Sequence, residues 1–342
     1  MLKIDMFSSA DKVAGQGVGS AYLELLRLLR NYLANQFQVS INNFREQADI
    51  SHYHTIDPLF YLSTFSKKRG RKIGYVHFLP ETLEGSLNIP QPFRGIFYHY
   101  VISFYKRMDH LVVVNPSFIP KLVKYGIPEN KITYIPNFVA QAEFYVQSDA
   151  YKQQFRQKLG IPADKFVVFG DGQVQERKGV DDFITLAKNN PDIEFIWAGG
   201  FSFGKMTDGY ERFKKAMANP PANLHFPGIV KRAELVSYYN MADLFLLPSY
   251  DELFPMSVLE AFNCHTPVLL RDLDLYHAII KGFYAPAQDV HEMDTIIHHL
   301  QHDPQALAQL RQASIKGAQT YSEQRLAKIW QQFYQKQAIY NV

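Results

Sequence analysis

The sequence of 342 residues is poor in cysteine and contains only Cys264. One thiol cannot form a disulfide within the chain and cannot build a cysteine metal site, so we expect a reducing compartment. No run of about eighteen uninterrupted apolar residues is present, which argues against a membrane-spanning helix. The first residues, MLKIDMFSSADKV, lack the basic start and long apolar core of a signal peptide. We therefore expect a protein that is soluble or lies on a membrane surface.

Net charge is small, at +3, but it is unevenly distributed. Residues 1–155 contain 17 Lys and Arg against 12 Asp and Glu, which gives +5, whereas residues 156–342 contain 19 against 21, which gives −2. This asymmetry favours an anionic partner for the first half of the chain. Nucleic acid and acidic lipid both meet that description.

Short apolar segments alternate with helical ones along the whole chain. The predicted strands of the first half are LKIDMF, FQVSIN, KIGYVHF, HLVVVN and KITYIP. After a polar helix, SDAYKQQFRQKLGI, the alternation restarts with KFVVFGD, IEFIWAGG, NLHFPG, LFLLPS and PVLLRD. This order predicts an α/β protein of two domains, each a parallel sheet with crossover helices, with a boundary near residues 140–160. The last segment, SEQRLAKIWQQFYQKQ, is an amphipathic helix that no strand follows.

A glycine-rich loop follows the first strand, and Gly15, Gly17 and Gly19 open the first helix. Glycines at that place let the backbone approach a phosphate or sugar closely. A dinucleotide site requires a different glycine spacing and an acid at the end of the second strand, which here runs into Asn42 and Asn43. A nicotinamide site and a plain surface turn both remain as alternatives.

Two cations follow the first strand of the second half, where Arg177 and Lys178 precede Gly179 and a helix. A lysine acts as a point charge and an arginine as a two-pronged donor, so the pair can neutralise a diphosphate. The alternative is that both are solvated loop cations.

The segment PSYDELFPMSVLEAF places Glu252 and Glu260 on either side of a predicted helix start. Pro255 suits the first helical position, so the N–H groups of residues 254–258 are predicted to be free at the positive helix end. Each carboxylate can accept two hydroxyl protons, as a sugar or a ribose offers. The alternative is a capping acid followed by an exposed helical glutamate.

These residues carry a resemblance to family 4 glycosyltransferases, which have the GT-B fold. The family's E-x7-E signature matches Glu252 to Glu260, its EKG stretch matches ERKGVDDF, and its base-binding segment is similar to HFPGIVKRAELVSYYNMADLFLLPS. In the first half, the segment from Asp109 to Val139 is similar to the family's pattern that ends in Asn137, and GQGVGSA is similar to its acceptor-side glycine loop. The terminal helix resembles the one that crosses back to the first domain.

The resemblance implies two Rossmann-like domains that face each other across a cleft. Residues 1–150, completed by the helix 321–342, are expected to bind the acceptor and a membrane, and residues 151–320 the nucleotide-sugar donor. It also implies a UDP-sugar donor, transfer with retention, no cofactor and no nucleic-acid partner. A bound metal is not expected either, because Asp272 and Asp274 mimic a D-x-D pair but lack a third ligand.

By the same resemblance, Glu260 binds the ribose hydroxyls, Glu252 the sugar hydroxyls, and the backbone at Ile229 and Val230 the uracil. His77, in YVHFLPE, matches the family's histidine near the reacting sugar; otherwise a lone histidine after a strand is a structural group. The implied donor-binding set is Arg177, Lys178, Ile229, Val230, Phe254, Pro255, Met256 and Glu260, with His77 and Glu252 as the catalytic pair.

The first half also resembles bacterial glycolipid synthases that add a second hexose, commonly galactose from UDP-galactose, to glucosyl-diacylglycerol. The product is a membrane glycolipid or a lipoteichoic acid anchor. The five cations between Lys67 and Lys72, beside the aromatic helix PFRGIFYHYVISFYKRMD, are predicted to hold the protein on the anionic inner face of the cell membrane. The alternatives are a UDP-sugar transferase for a polysaccharide or soluble acceptor, and a catalytically silent UDP-binding protein. Glucose remains open as the donor sugar.

Overall fold

The computed structural model describes residues 1–10, 17–80, 93–201, 204 and 207–340. Within these ranges the chain forms two compact units. The first contains the described residues up to Phe138 together with the chain from Ser322 onward, and the second is Val139–Tyr321. Each unit is built on its own six-stranded sheet, as the alternating segments predict.

The first unit is a parallel sheet with helices packed against it. Its strands, numbered along the chain, are β1 (Leu2–Phe7), β2 (Phe37–Ile41), β3 (Ile50–Tyr53), β4 (Arg71–Val76), β5 (His110–Val113) and β6 (Ile132–Tyr134). They pair in the order β2-β1-β3-β4-β5-β6, and every neighbouring pair is parallel. Its helices, also numbered along the whole chain, are α1 (Gly17–Tyr32), α2 (Pro58–Ser63), α3 (Phe93–Lys106), α4 (Phe118–Lys124) and α13 (Glu323–Ile339).

Strand β3 lies between β1 and β4 and was not predicted. Its four residues, ISHY, are all buried, although Ser51 and His52 are polar. The burial of His52 depends on α13, because its Nδ1 lies 2.7 Å from the hydroxyl of Tyr334 and its ring packs beside Trp330. The buried histidine of this central strand is therefore stabilised by a helix from the far end of the chain.

Helix α13 packs on the first unit, as predicted for the terminal helix. Its Gln337 accepts a hydrogen bond of 2.9 Å from the Arg71 side chain, and its Gln331 donates one of 2.8 Å to Gln36. Trp330 and Tyr334 are buried, so the apolar face of this amphipathic helix completes the core of the unit.

The second unit repeats the parallel architecture. Its strands are β7 (Val167–Asp171), β8 (Glu194–Ala198), β9 (Leu224–Gly228), β10 (Leu244–Leu247), β11 (Val268–Arg271) and β12 (Ala285–Ala287), in the order β12-β11-β10-β7-β8-β9. Its helices are α5 (Asp149–Lys158), α6 (Val180–Asn189), α7 (Tyr210–Ala218), α8 (Arg232–Met241), α9 (Met256–Asn263), α10 (Asp274–His277), α11 (Val290–His302) and α12 (Pro304–Thr320). Strand β12 was not predicted, since APA carries no strand pattern.

The second unit begins before the predicted domain start at residue 151. Asn263 donates a hydrogen bond of 2.9 Å to the carbonyl of Val139, and Asn240 donates one of 2.9 Å to the carbonyl of Tyr145. These contacts tie residues 139–148 to α8 and α9. The unit therefore starts at the edge of the range 140–160 in which the alternation of segments predicts the boundary, in a stretch between β6 and α5 that contains no strand or helix.

The predicted basic cluster between Lys67 and Lys72 is only partly a surface cluster. Arg69 is buried and forms an ion pair of 3.0 Å with Asp5, and Lys72 pairs with Asp109 at 2.9 Å. Lys67 and Lys68 remain exposed. The prediction of five surface cations was therefore wrong, because Arg69 has a structural role in the core. Across the described ranges, no helix has both the length and the apolar character needed to cross a bilayer.

Candidate active site

In the second unit, a close backbone contact joins the loops that follow β7 and β10. Gly179 has a φ of 69°, and a side chain there would lie 2.2 Å from the carbonyl oxygen of Pro248. This position therefore requires glycine. The contact holds Arg177 beside the next loop, where Tyr250 N–H donates to the Arg177 carbonyl at 2.8 Å and the guanidinium donates to the Asp251 carbonyl at 3.0 Å.

Glu252 is buried at this junction and forms an ion pair with Lys178. An Arg177 nitrogen lies 3.9 Å from its other oxygen. Burial would raise the pKa of Glu252, but the two cations outweigh burial and hold the pKa below its usual value. The two predicted diphosphate cations and one predicted sugar acid thus meet at one place, and the alternative of solvated loop cations is wrong for Lys178, which is largely buried.

Helix α9 starts one residue later than predicted. Pro255 precedes the helix as its N-cap, and its carbonyl accepts a bond of 3.2 Å from Val258 N–H. The prediction that this N–H is free was therefore wrong, because the first turn closes on the proline carbonyl. The side chains of Phe254 and Met256 are buried, so their backbone is the part of these residues that can face a ligand.

Glu260 lies buried on the second turn of α9 and is bonded at both oxygens. Arg232 donates to Oε1 at 2.7 Å, and the hydroxyl of Tyr239 lies 2.9 Å from Oε2. Arg232 also donates to Glu143 at 2.8 Å. The alternative of an exposed helical glutamate is therefore wrong. A buried, oriented carboxylate of this kind can accept two hydroxyl protons from a vicinal diol.

Ile229 and Val230 link β9 to α8 and lie at the same edge of the sheet. A side chain at Gly200, which follows β8, would approach Ile229 to 3.0 Å, and one at Gly199 would meet the carbonyl of Gly172 at 1.8 Å. Ile229 is exposed. The carboxyl ends of β7, β8 and β9 therefore converge here, as ligand-binding edges of parallel sheets do.

Three residues of this site were not singled out from the sequence: Asp171, Tyr239 and Arg232. Asp171 ends β7, and its Oδ2 lies 3.0 Å from the hydroxyl of Tyr239. An acid at the last position of a predicted strand was the available signal for Asp171. Arg232 and Tyr239 lie in the segment that matches the base-binding region, but only the approach of α8 to α9 reveals their contact with Glu260.

In the first unit, His77 follows β4 and is not a lone histidine. Its Nε2 lies 3.4 Å from Nδ1 of His54, and the His54 ring packs 4.3 Å from the ring of His52. Burial lowers the pKa of both His77 and His52 to about 3 and lowers that of His54 well below its usual value. All three rings are neutral at physiological pH. The structure also joins Tyr75 to Asn137 through a bond of 3.2 Å within this unit.

The glycine loop is described only in part. Gly15 lies outside the described residues, and Gly17 is the first residue of α1. A side chain at Gly19 would lie 2.7 Å from the carbonyl of Ala10. The close approach seen at Gly19 is therefore to the protein's own backbone, and its role towards a phosphate or acceptor stays a prediction.

Asp272, the first acid of the D-x-D pair, is engaged by protein contacts. Asp272 accepts hydrogen bonds from Tyr284 at 2.7 Å and Gln288 at 3.2 Å, and lies 2.9 Å from His277 Nε2. Within the described part of the chain, no group of three or more His, Cys, Asp or Glu residues could hold a metal ion. Transfer without a metal stays a prediction.

Glycosyltransferase family models match the chain in both units. Residues 5–143 match the family described as Glycosyltransferase Family 4, and residues 151–317 match Glycosyl transferases group 1. The chain is 54% identical to the alpha-galactosylglucosyldiacylglycerol synthase of Streptococcus pneumoniae, over 98% of this chain and 90% of that protein. It is 26% identical to the processive diacylglycerol alpha-glucosyltransferase of Acholeplasma laidlawii, over 75% of this chain and 79% of the relative.

Among solved structures, Anabaena Alr3699/HepE in complex with UDP-glucose matches with a TM-score of 0.80 at 15% identity, covering 98% of this chain and all of that one. At this identity the match shows the fold, and it confirms the predicted GT-B architecture. The predicted enzyme class is confirmed by the family matches and the near-full-length relative. The chain is a glycosyltransferase and belongs to family 4, with its group 1 region in the second unit.

Proposed function

We propose that this enzyme transfers a galactosyl unit from UDP-galactose to glucosyl-diacylglycerol with retention, which makes a diglycosyl-diacylglycerol. The observation that carries the proposal is the 54% identity, over 98% of the chain, to an alpha-galactosylglucosyldiacylglycerol synthase. The remaining arguments concern how the residues of each unit suit a nucleotide-sugar donor and a lipid acceptor.

The second unit suits a UDP-sugar because it holds cations and carboxylates at one sheet edge. Lys178 and Arg177 are paired with Glu252. A diphosphate brings more negative charge than one carboxylate, so it can take over the two cations and leave Glu252 to accept sugar hydroxyls. Glu260 accepts the ribose hydroxyls, and the backbone at Ile229 faces the uracil.

In the proposed transfer, the bond broken, the bond formed and the proton transferred are all accounted for without a metal ion. The bond between the sugar's anomeric carbon and the UDP oxygen breaks, and a bond from that carbon to an acceptor hydroxyl oxygen forms on the same face. The acceptor's proton passes to the departing diphosphate oxygen. Lys178, Arg177 and the start of α9 stabilise the charge that develops on the diphosphate.

His77 is assigned a positioning role towards the reacting sugar. Burial lowers its pKa to about 3, so the ring is neutral at physiological pH and can donate or accept one hydrogen bond to a hydroxyl. A neutral imidazole bonded to His54 suits orientation of a hydroxyl group rather than nucleophilic attack.

The first unit has an exposed apolar surface that suits a membrane. Helices α2 and α3 pack side by side, since the Tyr61 hydroxyl lies 2.9 Å from that of Ser103 and the rings of Tyr61 and Tyr100 are 5.6 Å apart. We call their outer side the α2/α3 surface, and its apolar residues, each more than half exposed, are Leu59, Leu62, Phe65, Phe93 and Ile96.

Four cations are close in sequence to the α2/α3 surface or contact it. Lys67, Lys68 and Arg94 are exposed next to it, and the guanidinium of Arg107 lies over the Phe65 ring at 4.0 Å. Apolar side chains mixed with cations bind the headgroup region of anionic bilayers. We therefore propose that the enzyme acts from the inner, cytoplasmic face of the cell membrane, where its acceptor lies. The proposal keeps Lys67 and Lys68 of the predicted basic segment and adds the apolar residues of the α2/α3 surface.

The test is an assay of the full chain with labelled UDP-galactose or UDP-glucose in parallel. Each donor is offered with glucosyl-diacylglycerol in micelles with and without anionic lipid, and with diacylglycerol as the matched acceptor that lacks the sugar. We expect a labelled diglycosyl lipid from UDP-galactose, with faster turnover when anionic lipid is present. Transfer to a soluble saccharide alone would instead identify a polysaccharide-type transferase. UDP binding without turnover on any acceptor would identify a silent binding protein.

A further inference from the structure

Asp171, Tyr239 and Glu260 form a line of three buried groups in the second unit. The Tyr239 hydroxyl lies 3.0 Å from Oδ2 of Asp171 and 2.9 Å from Oε2 of Glu260. All three residues are buried. The proposed function uses Glu260 but leaves Asp171 and Tyr239 without a role.

The number of protons on this line restricts the charges of the two acids. A tyrosine hydroxyl carries one proton, so it can donate to one carboxylate oxygen only. If both acids were ionised, the second contact would place two acceptor oxygens about 3 Å apart with no proton between them, which is unfavourable in a buried site. One of the two carboxyl groups must therefore carry a proton.

The neighbouring charges decide which acid is protonated. Glu260 accepts a charge-assisted bond of 2.7 Å from Arg232, which favours its ionised form. Across the residues that the structure describes, no arginine or lysine nitrogen forms an ion pair with Asp171. Burial, and next the charge of Glu260, raise the pKa of Asp171 to about 7, although the hydroxyls of Tyr239 and Ser257 and the charge of Lys178 oppose this.

We propose that Asp171 is a neutral, protonated carboxyl group and that it positions Glu260 through Tyr239. The Asp171 carboxyl donates its proton to the Tyr239 oxygen, and the Tyr239 hydroxyl donates to Oε2 of Glu260. Together with Arg232 at Oε1, this line fixes both carboxylate oxygens and leaves Glu260 ionised. Asp171 and Tyr239 are positioning residues, and their role rests on the proposed binding of the ribose hydroxyls by Glu260.

The arrangement has a consequence for nucleotide affinity. The charged or titratable groups that face Asp171 are Glu260 on α9, Tyr239 on α8 and Lys178 in the loop after β7. Loss of the Asp171 proton adds a negative charge to a site that must accept an anionic diphosphate, and it removes the donor to Tyr239. UDP binding is therefore expected to weaken as pH rises through about 7.

Two variants of Asp171 test the proposal in the full-length enzyme, with UDP itself as the probe. Asp171→Asn keeps a neutral donor at the same place, because its amide can donate to Tyr239. Asp171→Leu has a similar size but cannot donate. At about pH 6 we expect Asp171→Leu to bind UDP at least tenfold more weakly than the wild type, whereas Asp171→Asn recovers most of that loss. The wild type should lose affinity between about pH 6 and pH 8.5, and Asp171→Asn should not.

A second measurement reports on the proton directly and needs no ligand. Infrared difference spectra should contain the carbonyl stretch of a protonated carboxyl in the wild type at about pH 6, and this band should be absent from Asp171→Asn. The proposal is overturned if Asp171→Asn binds UDP as weakly as Asp171→Leu, or if no such band depends on Asp171. A wild-type protein that does not bind UDP would contradict the proposed function instead, and the infrared band would still decide the charge of Asp171.

Discussion

The two units differ in the charge of the residues that are predicted to contact substrate. In the second unit, Glu252 is paired with Lys178 and Glu260 with Arg232, so these two buried acids are balanced by cations. In the first unit, the residue predicted to contact the sugar is His77, which packs among His54 and aromatic rings and is neutral. The residues predicted to contact substrate are ion-paired acids in the second unit and a neutral imidazole in the first.

This difference follows the charges of the proposed ligands. A diphosphate requires cations, and buried cations require carboxylate partners while the ligand is absent. A sugar hydroxyl carries no charge, so a neutral donor or acceptor suffices and costs less to bury than an ion. The comparison can be tested by replacing residues of one unit at a time. The measurements then show whether nucleotide affinity, turnover or stability decreases.

The largest effect is expected for Glu260→Ala. This change removes a charged acceptor for two ribose hydroxyls, and each such hydrogen bond contributes about 1.5–3 kcal/mol, so UDP should bind about a hundredfold more weakly or worse. Titration calorimetry with UDP measures the change. Glu234→Ala, which removes an exposed glutamate on α8, is the control and should leave UDP affinity as it is. A loss of less than about threefold for Glu260→Ala would mean that Glu260 has a structural role only.

A smaller and different effect is expected for Glu252→Gln. Glutamine keeps the size of the side chain but cannot neutralise Lys178, so the sugar loses a charged acceptor while the cations become more available to the diphosphate. We expect kcat to fall about fiftyfold, with UDP affinity unchanged or higher. Glu176→Gln, an exposed acid near Lys178, is the control. Equal and mild losses in kcat and UDP affinity would contradict the proposed contact with the sugar.

Next in size is the membrane contribution of the first unit. Replacing both Lys67 and Lys68 by Gln removes two exposed charges beside the α2/α3 surface, and each lysine near an anionic bilayer contributes about 1 kcal/mol. Binding to anionic vesicles should weaken about thirtyfold, while UDP affinity stays the same. The control replaces Lys214 and Lys215, another adjacent exposed pair, which lies on α7 of the second unit. Equal losses for the two pairs would show that net charge, and not the α2/α3 surface, determines binding.

The sequence predicts the sheets well where strands are uniformly apolar. HLVVVN and LFLLPS are recognised because parallel strands buried on both faces contain continuous apolar residues. The sequence does not indicate strand β3 because Ser51 and His52 are polar, and the contacts that bury His52 come from Tyr334 and Trp330 of the terminal helix. No local pattern contains that information.

The candidate site also combines residues that the local sequence indicates with residues that it does not. Glu252 and Glu260 are indicated by their spacing around a helix start, and Lys178 by its place before Gly179. Asp171 and Tyr239 acquire their role only when α8 and α9 bring their oxygens within 3.0 Å of one another. A buried hydrogen-bond line between separate elements has no periodicity of its own, so spacing cannot indicate it.

The smallest effect is expected from the neutral histidines of the first unit, and it concerns stability in acid. Burial holds the pKa of His54 well below its usual value of 6.5, so the unfolded chain binds a proton that the folded chain does not. Stability is then complete above pH 6.5 and falls as pH decreases, by about 2 kcal/mol per histidine between pH 7 and pH 5.

His54→Asn removes this titrating ring but keeps a polar atom near the place of Nδ1, where His77 is bonded. Urea denaturation at pH 7 and pH 5 should therefore show a stability loss in acid that is about 2 kcal/mol smaller for the variant than for the wild type, whatever its stability at pH 7. The control is His291→Asn on α11, where the ring is exposed and hydrated before and after unfolding. If both variants lose the same stability in acid as the wild type, His54 must be charged in the folded protein, and the contrast between a neutral site in one unit and an ionic site in the other does not hold.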